Sequence, residues 1–200
     1  MIKQLHKKFV SRRRIKVLSA ELASFIDPEI KTVLDIGAGD GMLCKMIQDK
    51  IPNLKTSGID VIERPSSSIP VRLYDGKHIP YNDKSFNICM LVDVLHHLSH
   101  IKELLAEAKR VSANYILIKD HIYKNWFDFK LLELMDVVGN KPHGVSLEYN
   151  YLKENEWDKI FSELGLSVIK RKTRIPLYPF PFSLVFGRRL HFISLLKIEK

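Results

Sequence analysis

Cysteine is nearly absent from this 200-residue chain: Cys44 and Cys89 are the only two, and each lies inside an apolar run. That usage argues against a disulfide framework, predicts core packing for both residues and fits a reducing compartment. Long apolar runs are missing as well. No stretch reaches the ~18 uninterrupted apolar residues that a membrane-spanning helix needs. The N-terminus scatters Leu5, Phe9, Val10, Ile15 and Leu18 among basic residues instead of gathering them before a small-residue cleavage site, so it does not read as a secretory signal. A soluble, cytoplasmic protein is the expectation. No Gly/Ser-rich linker, internal repeat or composition shift divides the chain, which predicts one domain. Acids are scarce at the two ends: residues 1 to 20 hold seven Lys or Arg and no acid, and residues 167 to 200 hold eight against Glu199 alone. The net charge of +9 therefore sits on the termini around a net acidic middle. A uniformly basic nucleic-acid footprint would look different. The two basic ends read either as solvated faces or as surfaces for an anionic substrate, a membrane or RNA.

What is present is an alternation of strand and helix signals. Residues 3 to 26 place apolar positions three and four apart, which predicts one or two amphipathic helices over residues 1 to 28, ended at Asp27-Pro28. Strands are predicted at Thr32–Ile36, Leu54–Asp60, Val71–Tyr74, Phe86–Val92 and Tyr115–Lys119, with helices from Met42 to about Lys50 and, capped by Ser99, to about Val111. Residues 124 to 138 read as a helix with a broad apolar face, and a polar loop follows at Gly139 to Ser146. These make a helix and loop insertion at about 121 to 150 within a domain of residues 29 to 200. Glu154–Leu164 is a further helix. Leu166–Ile175 and Leu190–Glu199 are closing strands joined by a loop rich in Pro and Phe, expected to pair antiparallel. Alternation at this spacing calls for a parallel sheet covered on both faces.

The segment VLDIGAGDG, residues 33 to 41, is a strand running into a glycine turn and a helix. Such a turn brings backbone N–H groups to the carboxyl edge of the sheet, where nucleotide-like ligands bind. Gly37, Gly39 and Gly41 give GxGxG, and Met42 stands where a dinucleotide fingerprint has its third glycine. Asp35, just before the turn, suits a cationic ligand end and would oppose a pyrophosphate. Asp60, at the end of the second strand, can accept hydrogen bonds from ribose hydroxyls.

With the later stretch DGKHIPYNDKSFNICMLVDVLHHL, these features resemble the class I S-adenosylmethionine-dependent methyltransferases, in particular the group with methyltransferase type 11 domains, over roughly residues 30 to 120. The resemblance implies a Rossmann-like three-layer α/β/α sandwich with a mostly parallel seven-stranded sheet and an antiparallel last strand. It implies that Asp35, Gly37, Ala38, Gly39 and Gly41 surround the methionyl part of S-adenosylmethionine, and of the product S-adenosylhomocysteine. Asp60 would hold the ribose, Val61 would pack on adenine, Asp75 and Gly76 would stand near the adenine amino group, and Val92 and Asp93 would border the sulfonium. Asn87 stands where the family usually has Asp, but at the start of strand four, away from the cofactor.

Methyl transfer from a sulfonium asks the protein mainly to align the acceptor, with a base only where the accepting atom must lose a proton. His96 and His97 after strand four, and Asp120 and His121 with nearby Tyr123 after strand five, are the candidates; His97, His121 and Asp120 are carried forward as catalytic. Asn140 and His143 could line an acceptor pocket. No Cys, His or carboxylate group has metal-ligand spacing, so no metal is expected, and no nucleophile elbow occurs. Trp126, Phe127, Phe129, Tyr178, Phe180, Phe182 and Phe186 suit core packing or a wall around a small or lipid-like acceptor, with the basic ends resting on an anionic membrane. Two alternatives stand beside this: an RNA methyltransferase, although DVLH replaces the Asn/Asp-Pro-Pro-aromatic tetrapeptide of adenine N-methyltransferases, and a cofactor-binding protein without turnover. Oligomeric state is not legible.

Overall fold

A computed structural model describes the backbone of residues 2–139, 149–180 and 182–199, and the side chains of residues 13–137, 149–180 and 182–199. Seven strands form one sheet: β1 Thr32–Ile36, β2 Lys55–Asp60, β3 Val71–Leu73, β4 Phe86–Val92, β5 Ser112–His121, β6 Leu166–Lys172 and β7 His191–Ile198. Their order is β3-β2-β1-β4-β5-β7-β6. All pairings are parallel except those of β7, which runs antiparallel to both β5 and β6. The helices are α1 Ile2–Ala23, α2 Met42–Gln48, α3 Ile101–Val111, α4 Trp126–Gly139, α5 Glu154–Glu163 and a single turn, α6 Ser183–Phe186.

The central strands are apolar on both faces because both faces are covered. Side chains alternate across a strand, and the two cores divide accordingly. Leu34, Cys89, Leu91, Ile116 and Ile118 pack with Leu104, Leu105 and Ala108 of α3 and with Trp157 and Phe161 of α5. Val33, Ile88, Met90 and Leu117 pack on the other face with Leu18 and Leu22 of α1 and Cys44 and Ile47 of α2. Both cysteines are fully buried and unbridged. No helix among the described residues is long and apolar enough to cross a membrane.

Several boundaries differ from the sequence expectation. The helix after strand four begins at Ile101 with His100 as its N-cap and no side-chain cap, so Ser99 does not cap it. Burial of the stripe Ile101, Leu104, Leu105, Ala108 and Val111 holds the helix instead. Strand five is ten residues long, running from Ser112 to His121, because β4 and β7 offer partners beyond its apolar run. The last two strands are shorter than predicted, ending at Lys172 and beginning at His191.

Asn87 lies at the amino edge of the sheet. Its Oδ1 accepts the amides of Lys31 and Thr32 and the Thr32 hydroxyl, each at 3.1 Å, which fixes the start of β1 against the start of β4. Asn87→Ala leaves those donors short and is expected to cost about 1–2 kcal/mol in denaturant unfolding. The opposite edge should be untouched.

Candidate active site at the carboxyl edge of the sheet

β1, β2, β4 and β5 all deliver their C-terminal ends to one edge, and the antiparallel β7 starts there, with His191 in register beside His121. In the glycine turn, the Gly37 and Ala38 amides both donate to the Ile59 carbonyl, at 2.8 and 3.1 Å. The turn is thereby tied to the end of β2. Ala38 also closes over β2, where a Cβ on Gly58 would come within 2.6 Å of its own Cβ. Gly41 begins α2 in the left-handed conformation, φ 68°. Gly39 is different in kind: at φ 58° its missing Cβ would meet nothing within 4 Å. That is open space bounded by the turn.

Two carboxylates border it. Asp60 accepts the Gly39 amide at 2.7 Å and the Ile62 amide at 2.8 Å, each through a different oxygen, so lone pairs remain on both. Asp35 is only 3 % exposed. Burial, reinforced by the Asp60 charge, pushes its carboxyl up to about 8. Neither has a salt-bridge partner among the described residues. Beyond Asp60, a Cβ on Gly76 would stand 3.2 Å from the Val61 side chain, so this glycine and the exposed valine form one narrow edge. The exposed Asp75 accepts the Lys77 and His78 amides at 2.8 and 2.7 Å and meets the His78 ring at 2.7 Å. Those hydrogen bonds, the His78 ring first, hold its carboxyl below the usual range. Val92 ends β4, half-buried. A cradle that a Cβ would fill, a buried carboxylate lacking a cation and a carboxylate at the end of β2 fit a nucleoside ligand with a cationic amino-acid end.

Next to this cradle, a second group of side chains comes together at the ends of β4, β5 and β7. Asp93 adopts φ 56°, a conformation rare for a residue with a side chain. Its amide donates to the Lys119 carbonyl at 2.8 Å. Its carboxylate bonds the fully buried Lys119 ammonium and, at 2.6 Å, Arg14 of α1. Burial opposes the Asp93 charge, but Lys119 and Arg14 outweigh it and hold the carboxyl well below the ordinary range. A 3-10 turn at Leu95–His97 follows. There the His96 Nδ1 meets Asp120 Oδ1 at 2.7 Å, and its Nε2 lies 3.5 Å from Asp136 of α4. Burial penalises a charged imidazole, yet Asp120 and then Asp136 raise His96 to about 10. His121 goes the other way, lowered to about 4 by burial and then by the His96 and Lys119 charges. Asp136 also accepts the Tyr151 hydroxyl.

The structure thus brings His97, Asp120 and His121 together around His96. Tyr123 packs on Phe129 instead, with ring centroids 5.3 Å apart. Asn140 and His143 lie outside the described residues. Sequence reasoning missed Arg14, Lys119, Asp136, Tyr151 and His191. Only Lys119 carried a signal, as a lysine inside a strand buried on both faces. The aromatics divide: Phe129, Tyr178 and Phe186 pack against the body, whereas Trp126, Phe127, Phe180 and Phe182 are exposed. Arg188 stands over Phe127 at 5.3 Å and pairs with Asp128 at 2.9 Å, linking the last loop to α4.

Sheet order, glycine turn and the two carboxylates define a Rossmann-like nucleoside-binding domain. Residues 7–171 match the model of a methyltransferase domain, and the chain belongs to that family, the S-adenosylmethionine-dependent methyltransferases of class I. It is 29 % identical over 98 residues to the demethylmenaquinone methyltransferase of Thermotoga maritima, covering 46 % of this chain and 42 % of that protein. It is 26 % identical over 143 residues to the ubiquinone/menaquinone biosynthesis C-methyltransferase of Cupriavidus pinatubonensis, covering 62 % and 58 %. The chain spans about half the length of the curated relatives it matches. Its fold is that of a putative methyltransferase from Bacillus halodurans, with TM-score 0.66 at 14 % identity over 91 % of this chain and 99 % of that one.

Proposed function

We propose that this chain transfers a methyl group from S-adenosylmethionine to a small-molecule or lipid-like acceptor held at the carboxyl edge of the sheet. The observation that carries the reading is the open cradle at Gly39 between Asp35 and Asp60. In this reading Asp60 binds the ribose hydroxyls and Asp35 pairs with the amino group. Gly37, Ala38, Gly39 and Gly41 leave room for the methionyl chain, Val61 and Gly76 flank adenine, Asp75 braces their loop, and Val92 borders the methyl group. Bound there, the cofactor supplies an electrophilic methyl on sulfur and a neutral thioether leaving group. The protein's task is to place an acceptor atom in line with that bond and to exclude water. His97, Asp120 and His121 are assigned to holding the acceptor, and one of them to taking its proton where it must lose one.

The lipid-like alternative within this reading is favoured by the exposed Trp126, Phe127, Phe180 and Leu184 and by Arg188 lying over the Phe127 ring at 5.3 Å, a composition suited to an anionic membrane surface. The matched quinone methyltransferases bear names of lipid-like substrates, which agrees with it. Sedimentation with anionic liposomes at low salt tests the contact, and absence of binding there removes it. Transfer of labelled methyl from the cofactor into a cell extract, split into lipid, RNA and small-molecule pools, tests the activity. Label in the RNA pool alone would replace the acceptor assignment, and no label in any pool would leave a cofactor-binding protein.

Gly39→Ala separates ligand space from folding. A methyl group there meets no protein atom, so the fold bears only the positive-φ penalty of about 1–2 kcal/mol. Cofactor affinity should fall by about 10-fold or more in calorimetry, since a shift of ~1.4 kcal/mol suffices for that. Unchanged affinity would place the cofactor elsewhere.

A further inference from the structure

We propose that His96, Asp120 and His121 form a binding site for one divalent first-row transition-metal ion, with zinc(II), cobalt(II) and iron(II) as the fitting class. The inference stands on the geometry of these three side chains; with an ion bound, Asp120 and His121 would hold an acceptor through it rather than act as its base. Three donor atoms face one another: Nδ1 of His96 is 2.7 Å from Oδ1 of Asp120 and 3.2 Å from Nδ1 of His121, and the last two are 3.3 Å apart. An ion that holds nitrogen and oxygen donors at about 2.0–2.2 Å keeps them about 3–3.4 Å from each other. Two sides of the triangle lie in that range, and the third, the His96–Asp120 hydrogen bond at 2.7 Å, has to open by a few tenths of an ångström.

The three donors also converge on one oxygen. Nδ1 of His96 and Nδ1 of His121 both face Asp120 Oδ1, at 2.7 and 3.3 Å, and that oxygen already accepts the His121 amide at 2.7 Å. A bound ion would displace the protons that the rings share with the carboxylate, and all three residues are buried.

The surroundings orient the donors as ligands need to be oriented. Asp136 lies on the far nitrogen of His96, 3.5 Å from Nε2, and is itself bonded by the Tyr151 hydroxyl. Metal-bound histidines carry such a carboxylate on their second nitrogen as a rule. The other oxygen of Asp120 accepts the Leu95 amide at 3.0 Å. The Trp157 indole donates to the His121 carbonyl at 3.1 Å and pins the end of β5. Asp120 and Asp136 together match the charge of a divalent ion.

Donor chemistry sets the class. Two imidazoles and one carboxylate suit borderline transition metals, whereas magnesium and calcium favour all-oxygen sets. Three protein ligands leave coordination positions open, as catalytic sites do. An acceptor oxygen filling one of them would be held at the sheet edge beside the cofactor cradle and polarised there. Sequence spacing concealed the site because its ligands come from the turn after β4 and the end of β5, with no short motif joining them.

The test uses the full chain, stripped with chelator and reconstituted with cobalt(II) or zinc(II) during refolding so that a buried site can load. The expected result is one ion per chain and visible d–d absorption with cobalt(II). His121→Gln and Asp120→Asn should each weaken binding by about 100-fold, and Asp136→Asn by about 10-fold. S-adenosylhomocysteine calorimetry on the same variants reports whether the fold and the cofactor cradle survive, and so separates loss of this site from failure of the methyltransferase reading. Where a variant does not fold, cobalt(II)-induced shifts of the His96 and His121 ring resonances in the wild-type protein decide the matter. Absence of a stoichiometric cobalt(II) signal in the wild type, or a signal that survives both ligand substitutions or leaves those resonances in place, overturns the proposal.

Discussion

Asp35→Asn is expected to raise the melting temperature of the ligand-free protein above about pH 8 while weakening its hold on S-adenosylmethionine. In the folded chain the Asp35 proton stays on up to about pH 8, against an ordinary value of 3.8. Between those values the native state binds more protons than the unfolded one, so its stability declines as pH rises. The stabilising contribution of the neutral carboxyl is complete below the unfolded value and is lost as pH passes through the folded one. At ~1.4 kcal/mol per unit the whole effect is of the order of a few kcal/mol. Asn keeps the shape and never ionises, so it escapes the decline. Ligand binding reverses the sign. A cationic end next to Asp35 favours the ionised form, so binding below about pH 8 expels a proton and affinity rises with pH, by up to about 10-fold per unit. Asn removes that slope. Melting curves across pH, with calorimetry in buffers of different ionisation enthalpy, measure both halves. A wild-type affinity flat in pH with no proton released would disconnect Asp35 from the ligand.

The second large effect concerns charge inside the sheet. Lys119 has no exposed surface, and its ammonium is bonded to Asp93 and lies 3.2 Å from the His191 ring. Lys119→Met fits the volume but strands the carboxylate. Breaking one partner of a buried pair costs about 3–5 kcal/mol, and the lower end applies because Arg14 still neutralises Asp93 from the other side. The partner substitution has to be Asn, since Asp93 sits at φ 56° and Asn tolerates that region best among uncharged residues with a side chain. The double variant, Lys119→Met with Asp93→Asn, should recover much of the loss, giving a coupling of about 2 kcal/mol in a double-mutant cycle. Additive losses would mean that the two groups do not depend on each other.

The sequence made the cofactor half of the site easy to read, because its signal is local. Residues 33 to 41 carry strand, turn and helix in succession, Asp60 follows at the end of the next strand, and both lie where expected relative to the sheet. Nearly continuous apolar runs on β4 and β5 gave the buried parallel strands for the same reason. The side-chain cluster at the ends of β4, β5 and β7 is built by convergence. Arg14, Lys119, Asp136 and His191 come from a helix, a strand, a second helix and a second strand, and no periodicity records that they meet. Chain ends of elements were read less well, since Ser99 had the right residue type for a cap while the buried stripe of α3 set the start of the helix. The aromatic run around residues 176 to 189 divided between packing and exposure, Phe186 against Leu131 and Leu132 of α4 and Tyr178 in the core under α1 and α2, through contacts that composition does not express.

Position 93 makes two unrelated demands on one residue. The left-handed backbone favours Gly, Asn or Asp, and the charges of Lys119 and Arg14 require an acid. Aspartate is the one amino acid that meets both. A lineage leaving it by a single substitution must pass through a stranded lysine or a strained backbone, so divergence here has to proceed by paired replacement. Positions 93 and 119 should therefore change together or not at all among homologues that keep this architecture, and this carboxyl edge of the sheet should drift more slowly than the helices that cover it.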